Sequence, residues 1–193
     1  MKVIIIEGPD NVGKNTLIHW IIEQYSNVRI IHCGKPTSKI DTFLEQKKTF
    51  LQLANDAISD NVKGDVDVVV FNRFCQGEYV YGQLYRGGDP DKIIDMVHMV
   101  ETYLKNNIDD ENIFYVQMTC ESANLLCGND DGKSLSNNNH EKILQELRLF
   151  DDVFANSCLS NKLKLFVNNP NNPNVFRQKK EIVQEFSEFL NVR

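Results

Sequence analysis

The sequence predicts an α/β fold of three layers, a five-stranded parallel sheet with helices on both faces, and three observations predict it. Five short apolar runs rich in β-branched residues recur along the 193 residues. Each run is nearly continuous rather than alternating, as strands buried on both faces require. Between the runs lie longer stretches whose apolar residues recur at three and four, the period of an amphipathic helix. The first run also leads directly into Gly8-Pro9-Asp10-Asn11-Val12-Gly13-Lys14, with a helical pattern behind it.

In chain order, strands are expected at residues 3–6, 28–32, 66–71, 113–118 and 163–167. Leu17, Ile18, Ile21, Ile22 and Tyr25 mark the first helix, and Phe43, Leu44, Leu51, Ala54, Ala57 and Ile58 the second. A third carries Ile93, Ile94, Val97, Tyr103 and Leu104, a fourth Ile143, Leu147, Phe150 and Phe154. Phe176, Ile182, Val183, Phe186, Phe189 and Leu190 read as a helix closing the chain. Two segments break the alternation. Residues 127–141 are polar and rich in Gly and Asn, which suits a lid-like surface loop entering a helix near Asn139 or His140, and residues 168–174 (NNPNNPN) read as a turn-rich loop. Neither leaves enough chain for an independent unit, so residues 1–193 are read as one domain.

Composition narrows the function classes. Apolar residues make up 41% and charged residues 25%, and no apolar stretch approaches the ~20 residues that span a bilayer. A net charge of −6, with basic residues scattered or in short pairs, offers no stripe for a nucleic acid polymer. The five cysteines form no CxxC pair and the four histidines no HxxxH, so reduced thiols are expected rather than disulfides or zinc. The expected location is the cytoplasm.

The chemistry concentrates in GxxxxGK. Glycines at both ends let backbone N–H groups wrap a phosphate, the helix beginning near Lys14 adds its positive dipole end, and the ammonium reaches the outer phosphates. The expected nucleotide-binding residues are Gly8, Pro9, Asp10, Asn11, Val12, Gly13, Lys14, Asn15 and Thr16. An ordinary glycine turn before a helix is the bland alternative. The residue after the lysine is usually a Ser or Thr whose hydroxyl ligates magnesium; Asn15 stands there, so it is expected to be a weak metal ligand.

EGPDNVGKNT resembles the phosphate-binding loop of thymidylate kinases, usually EGxDGxGKST. Asn72-Arg73-Phe74 stands where that family has Asp-Arg-Tyr or Asp-Arg-Phe, and Val80-Tyr81-Gly82 where it has Ala-Tyr-Gln. The stretch FNRFCQGEYVYGQLYRG is similar to the phage-borne branch, and Asp130-Asp131-Gly132-Lys133-Ser134 looks like a lid. The resemblance covers nearly the whole chain. It implies a P-loop NTPase-type sandwich, ATP and Mg2+ as cofactors, and dTMP or a related deoxypyrimidine monophosphate as acceptor. It also implies a homodimer formed through the helices flanking the sheet.

Site roles follow from the same resemblance. Lys14, Arg73 and Lys133 would be catalytic, with Arg73 gripping the acceptor phosphate; Asp10, Asn72, Arg73, Glu78 and Tyr81 would bind the substrate. Asp10 would contact the sugar and Tyr81 would pack where a 2′-hydroxyl would sit. Three departures stand against this. Asn72 replaces a carboxylate, Asn55-Asp56 stand where an arginine reads the base, and Cys127-Gly128 open a lid that lacks its arginine, leaving Lys133 and Arg148 as nearby cations. Such an arginine is worth ~10³–10⁵ in rate, roughly 4–7 kcal/mol. The departures keep a second reading open, a catalytically degenerate nucleotide-binding relative acting as sensor or partner protein, and a nucleoside kinase is a third.

Overall fold

The computed structural model of the chain describes residues 1–33, 42–128 and 134–191. Its centre is a parallel sheet of β1 (Lys2–Glu7), β2 (Val28–His32), β3 (Val68–Asn72), β4 (Ile113–Thr119) and β5 (Asn161–Phe166), ordered β2-β3-β1-β4-β5. Alternate residues of each central strand feed opposite faces. Val3, Ile5, Val69, Phe71 and Tyr115 join one buried cluster; Ile4, Ile6, Val68, Val70 and Val116 join the other. Both faces exclude water, which is why the strands read as unbroken apolar runs.

Seven helices cover these faces among the described residues. Those of α1 (Lys14–Gln24), α5 (Ala123–Cys127) and α7 (Lys179–Asn191) pack on the Ile4 side. On the Val3 side lie α2 (Thr42–Lys63), α3 (Cys75–Arg86) and α4 (Pro90–Lys105), while α6 (His140–Asn156) contributes to both clusters. Local chemistry sets several ends. Asp89 caps α4 by accepting the Asp91 N–H, with Pro90 in the first turn where its missing donor costs nothing. Gly87, at φ 68°, closes α3 in the left-handed conformation. Asn139 accepts the Lys142 N–H at 3.1 Å, so α6 starts where the sequence reading put it.

Four differences from the sequence reading stand out. The third strand begins at Val68 rather than residue 66. Residues 168–176 are not only a loop: β6 (Asn168–Asn169) and β7 (Asn172–Phe176) pair antiparallel around a turn in which Asn169 accepts the Asn171 N–H. Phe176 therefore belongs to β7 and not to the last helix, which begins at Lys179. Helix α3 has no apolar period to betray it, because Cys75, Gln76, Gly77 and Gly82 share its buried face with Val80 and Tyr81. Among the described residues no helix is long and apolar enough to cross a membrane.

The topology brings two loops together. β1 and β3 are neighbours with Ile6 opposite Asn72, so the segments leaving their carboxyl ends emerge side by side. Carboxyl edges of parallel strands are where α/β sheets bind ligands.

Candidate nucleotide-binding site

The loop after β1 can adopt its shape only with its glycines. Gly8 has φ 138°, and a Cβ there would lie 2.2 Å from the carbonyl oxygen of Met118 on β4. Gly13 has φ 92° and precedes α1 without a side-chain cap, and no acidic residue stands in the first turn, so the helix start keeps its positive character. The Lys14 ammonium, 8% exposed, donates to the carbonyl oxygens of Gly8 at 2.8 Å and Pro9 at 2.6 Å. Burial lowers its pKa to about 8, against the fields of Glu7 and Glu146.

Arg73 leaves β3 with φ 67°, an uncommon conformation for a non-glycine residue, while its N–H holds the Ile6 carbonyl at 3.1 Å. Its guanidinium pairs with Asp10 of the loop and lies 5.3 Å from the ring centre of Tyr81. The Tyr81 hydroxyl is buried with no hydrogen-bond partner among the described residues. Asp10, Arg73 and Tyr81 thus stand together.

Two carboxylates that the sequence reading missed complete this group. Glu7, the last residue of β1, is fully buried; one oxygen accepts the N–H of Phe74 at 2.6 Å and of Gly77 at 2.9 Å, and the other has no partner among the described residues. Burial pushes its carboxyl up to about 7, opposed by the Phe74 bond and the charges of Arg73 and Lys14. A glutamate closing an apolar strand directly before Gly8 was the available signal. Glu146 on α6, 1% exposed, accepts the Tyr85 hydroxyl at 2.5 Å, and burial raises its carboxyl although Lys14 and Arg73 act on it the other way. Arg148, two residues along α6, is exposed. The helix thus turns the acid Glu146, and not Arg148, toward the loop. Lys133 lies outside the described residues.

Around Arg73 opens a cleft of about 50 Å³, lined by Gln46 and Phe50 of α2 and by Phe74, Gly77, Glu78, Tyr81 and Arg86. Glu78 and Arg86 pair at 2.5 Å and also border a neighbouring cavity of about 260 Å³. Asn55 and Asp56 do not face this cleft. Asp56 accepts from Gln52 and lies 3.7 Å from Arg29, and Asn55 accepts from Tyr103. The side chains that α2 offers here are Gln46 and Phe50. Behind the loop, a second cavity of about 280 Å³ is bordered by Asn11, Gly13, Thr16, Met118, Phe176 and Arg177.

Magnesium, which the resemblance implies, is poorly served. At the two positions that would supply a hydroxyl and a carboxylate stand Asn15 and Asn72, and Asn72 Nδ2 lies 3.2 Å from Asn15 Oδ1 and 3.0 Å from His32 Nδ1. Asp10 is tied to Arg73 and Glu7 to backbone amides. Among the described residues no group of three or more His, Cys, Asp or Glu could hold a metal ion. A hard octahedral cation that prefers charged oxygen does not fit these amides and imidazole.

No protein-family model matches the chain, and no curated protein matches its sequence. Solved structures do match. The YorR protein of Bacillus subtilis, in complex with phosphorylated GDP, superposes with a TM-score of 0.64 at 16% identity over 97% of this chain and 96% of its own. Thymidylate kinase of Ehrlichia chaffeensis gives 0.58 at 14% identity, covering 98% of both chains. The fold is that of the P-loop nucleotide kinases. Polyphosphate Kinase 2 of Arthrobacter aurescens TC1 gives 0.61 at 12% identity, over 97% of this chain and 65% of its own. Lys14, Arg73, Glu7 and Asp10 gather at the carboxyl ends of β1 and β3, the edge at which open α/β sheets bind ligands.

Proposed function

We propose that this chain is an ATP-dependent deoxynucleoside monophosphate kinase whose acceptor is dTMP or a related deoxypyrimidine nucleotide. The observation that carries the reading is that Lys14, at the start of the helix after β1, and Arg73, directly after β3, both act on the buried Glu7 at the carboxyl ends of two adjacent strands; in this reading each serves one of two facing phosphates. An oxygen of the acceptor phosphate attacks the γ-phosphorus of ATP, the bond from that phosphorus to the β-bridging oxygen breaks, and ADP leaves with the electron pair. The acceptor is already an anion, so positioning supplies most of the catalysis and no strong base is needed.

Each residue has a part in that geometry. The loop amides and Lys14 hold the donor phosphates; Arg73 leaves Asp10 to grip the acceptor phosphate with its planar fork, and Asp10 turns to the sugar. Tyr81 walls the sugar side. The cleft at Arg73 is small and aromatic, and the Gln46 amide offers one donor face and one acceptor to a pyrimidine edge. The cavity bordered by Phe176 and Arg177 would take the donor base.

A catalytically silent nucleotide-binding protein is favoured by a different observation, the acid Glu146 where a cation would stabilise the transferring group. Incubation with ATP and each deoxynucleoside monophosphate, followed by ADP release, separates the two. Turnover with dTMP exceeding that with the purine nucleotides supports the kinase. Binding without turnover supports the silent protein, and turnover of deoxythymidine in preference to dTMP makes the chain a nucleoside kinase.

A further inference from the structure

We propose that the acceptor is a deoxypyrimidine monophosphate whose base carries, in place of thymine's methyl group, a longer substituent with a hydroxyl group, received by the cavity behind Glu78 and Arg86. The inference rests on the reading that the cleft at Arg73 holds the acceptor nucleotide, and it narrows that acceptor by size and polarity. It begins with a bare position. Residue 82, where thymidylate kinases have Gln, is Gly, and it lies between Glu78 and Arg86 on one face of α3, four residues from each.

Glycine makes room there. A Cβ at residue 82 would come within 2.7 Å of Glu78 Oε1 and 3.0 Å of Ile93 Cδ1, and a Cβ at Gly88 within 2.7 Å of that same methyl. The Gly88 N–H donates to the Gly82 carbonyl at 2.9 Å, so the two glycines join into one wall. The cavity they border, together with Phe43, Ile93, Glu78 and Arg86, measures about 260 Å³. Roughly 150 Å³ suffices to hold a six-membered ring, so the space exceeds what a methyl group can fill. Among the described residues Glu78 and Arg86 alone line both this cavity and the cleft at Arg73, so a base reaching inward from Arg73 meets the cavity at that pair.

The lining decides what the substituent is. Glu78 and Arg86 pair at 2.5 Å with side chains 10% and 23% exposed, while Asp89 and Lys92 border the cavity from exposed positions. Two acids and two bases cancel, so the cavity suits a neutral group and does not compete with Arg73 for phosphate. A carboxylate only accepts and a guanidinium only donates, and one hydroxyl satisfies both: its proton goes to Glu78 Oε1 and its oxygen accepts an Arg86 N–H, with the ion pair left in place. An alkyl chain of equal length would take water from the pair and return no hydrogen bond. Carbon 5 of the ring is the position from which such a chain can leave, because N3 and the groups on carbons 2 and 4 form the polar edge and carbon 6 adjoins the sugar.

The test is calorimetric binding of dTMP, 5-ethyl-dUMP and 5-hydroxymethyl-dUMP to the intact chain, repeated with Gly82→Gln. The hydroxymethyl nucleotide should bind about tenfold or more tightly than dTMP, and by the same margin over the ethyl nucleotide, which has its shape without the hydroxyl. Gly82→Gln returns a side chain to the wall and should bring the three nucleotides within about twofold of one another. The comparison of ethyl with hydroxymethyl uses the unaltered chain, so it stands even if the variant folds poorly. Equal affinities for those two, or tighter binding of dTMP than of the hydroxymethyl nucleotide, overturns the substituent site and leaves the dTMP acceptor intact. A hydroxymethyl preference that survives Gly82→Gln overturns it as well. Failure of all three nucleotides to bind removes the pyrimidine acceptor and the substituent site together.

Discussion

Glu7 holds Phe74: the carboxylate at the end of β1 accepts the backbone N–H at the start of α3 at 2.6 Å, inside a region closed to water. The bond fixes the segment that carries Arg73, at the cost of burying a group that would otherwise ionise. Folding raises its pKa from the ordinary 4.5 to about 7, so between those values the folded chain keeps a proton that the unfolded chain has lost. Its contribution to stability is complete below about pH 4.5, is lost as pH rises, and is gone above about 7. Glu7→Gln keeps an accepting oxygen and does not titrate. Calorimetry should find the variant melting a few degrees above wild type at pH 8.5 and level with it at pH 5, whereas a pH-independent difference would contradict the account.

Lys14 titrates in the opposite sense. Its ammonium, lowered to about 8 by burial, is the form that binds phosphate, so nucleotide affinity should decline as pH rises beyond that value, approaching tenfold per unit. Deprotonation of Glu7 acts in the same direction by adding a negative charge beside the loop. Titrations in buffers of different ionisation enthalpy should show proton uptake on binding at pH 8.5. Lys14→Ala should weaken binding by about 10- to 100-fold through loss of a charge-assisted bond.

Replacing Arg73 tests the acceptor side alone. Arg73→Ala should raise the acceptor KM by about 100-fold while ATP binding changes by less than about twofold, and Arg73→Lys should recover only part because an ammonium lacks the fork. Equal losses for donor and acceptor would place Arg73 in the scaffold instead.

Tyr81 and Gly8 separate two kinds of stability. Tyr81→Phe removes a buried hydroxyl that has no partner among the described residues, so its melting temperature should match or exceed wild type. Tyr81→Ala empties a core position beside Phe150 and should cost about 3–5 kcal/mol. Gly8→Ala drives a methyl into the Met118 carbonyl and should cost more than 3 kcal/mol by the same measurement, roughly the scale of a severe core defect.

Gln46 is the test of base reading. It lines the cleft at Arg73 and is 5% exposed, so Gln46→Leu should reduce kcat/KM for the preferred acceptor by about 10-fold or more and blunt the difference between bases. An unchanged order of acceptors would remove Gln46 from recognition.

The sheet could be read from the sequence because burial on both faces leaves a one-dimensional mark: Ile4 and Ile5 point opposite ways yet are equally apolar. The glycine loop after β1 was as plain, since Gly8 and Gly13 answer to backbone geometry that no other residue meets without strain. What escaped was set by contacts distant in sequence. Glu146 lies 73 positions from Arg73 and looked like one more polar residue on an amphipathic helix. Gln46 and Asn55 occupy the same helix, and only the way α2 packs, chiefly against α4, decides which of them meets the cleft. The small hairpin of β6 and β7 was hidden because asparagine-rich turns and two-residue strands share a composition.

The two carbonyls that hold the Lys14 ammonium have a consequence for selectivity. A ligand must draw the amine away from both at once before gaining its charge, so the loop resists any anion too weak to compensate. A chain of phosphoryl groups can meet backbone amides along its length while it recruits the amine; a lone inorganic anion meets few of them. Under the proposed function the resting loop would act as a threshold, filtering small anions by the number of contacts they can make together.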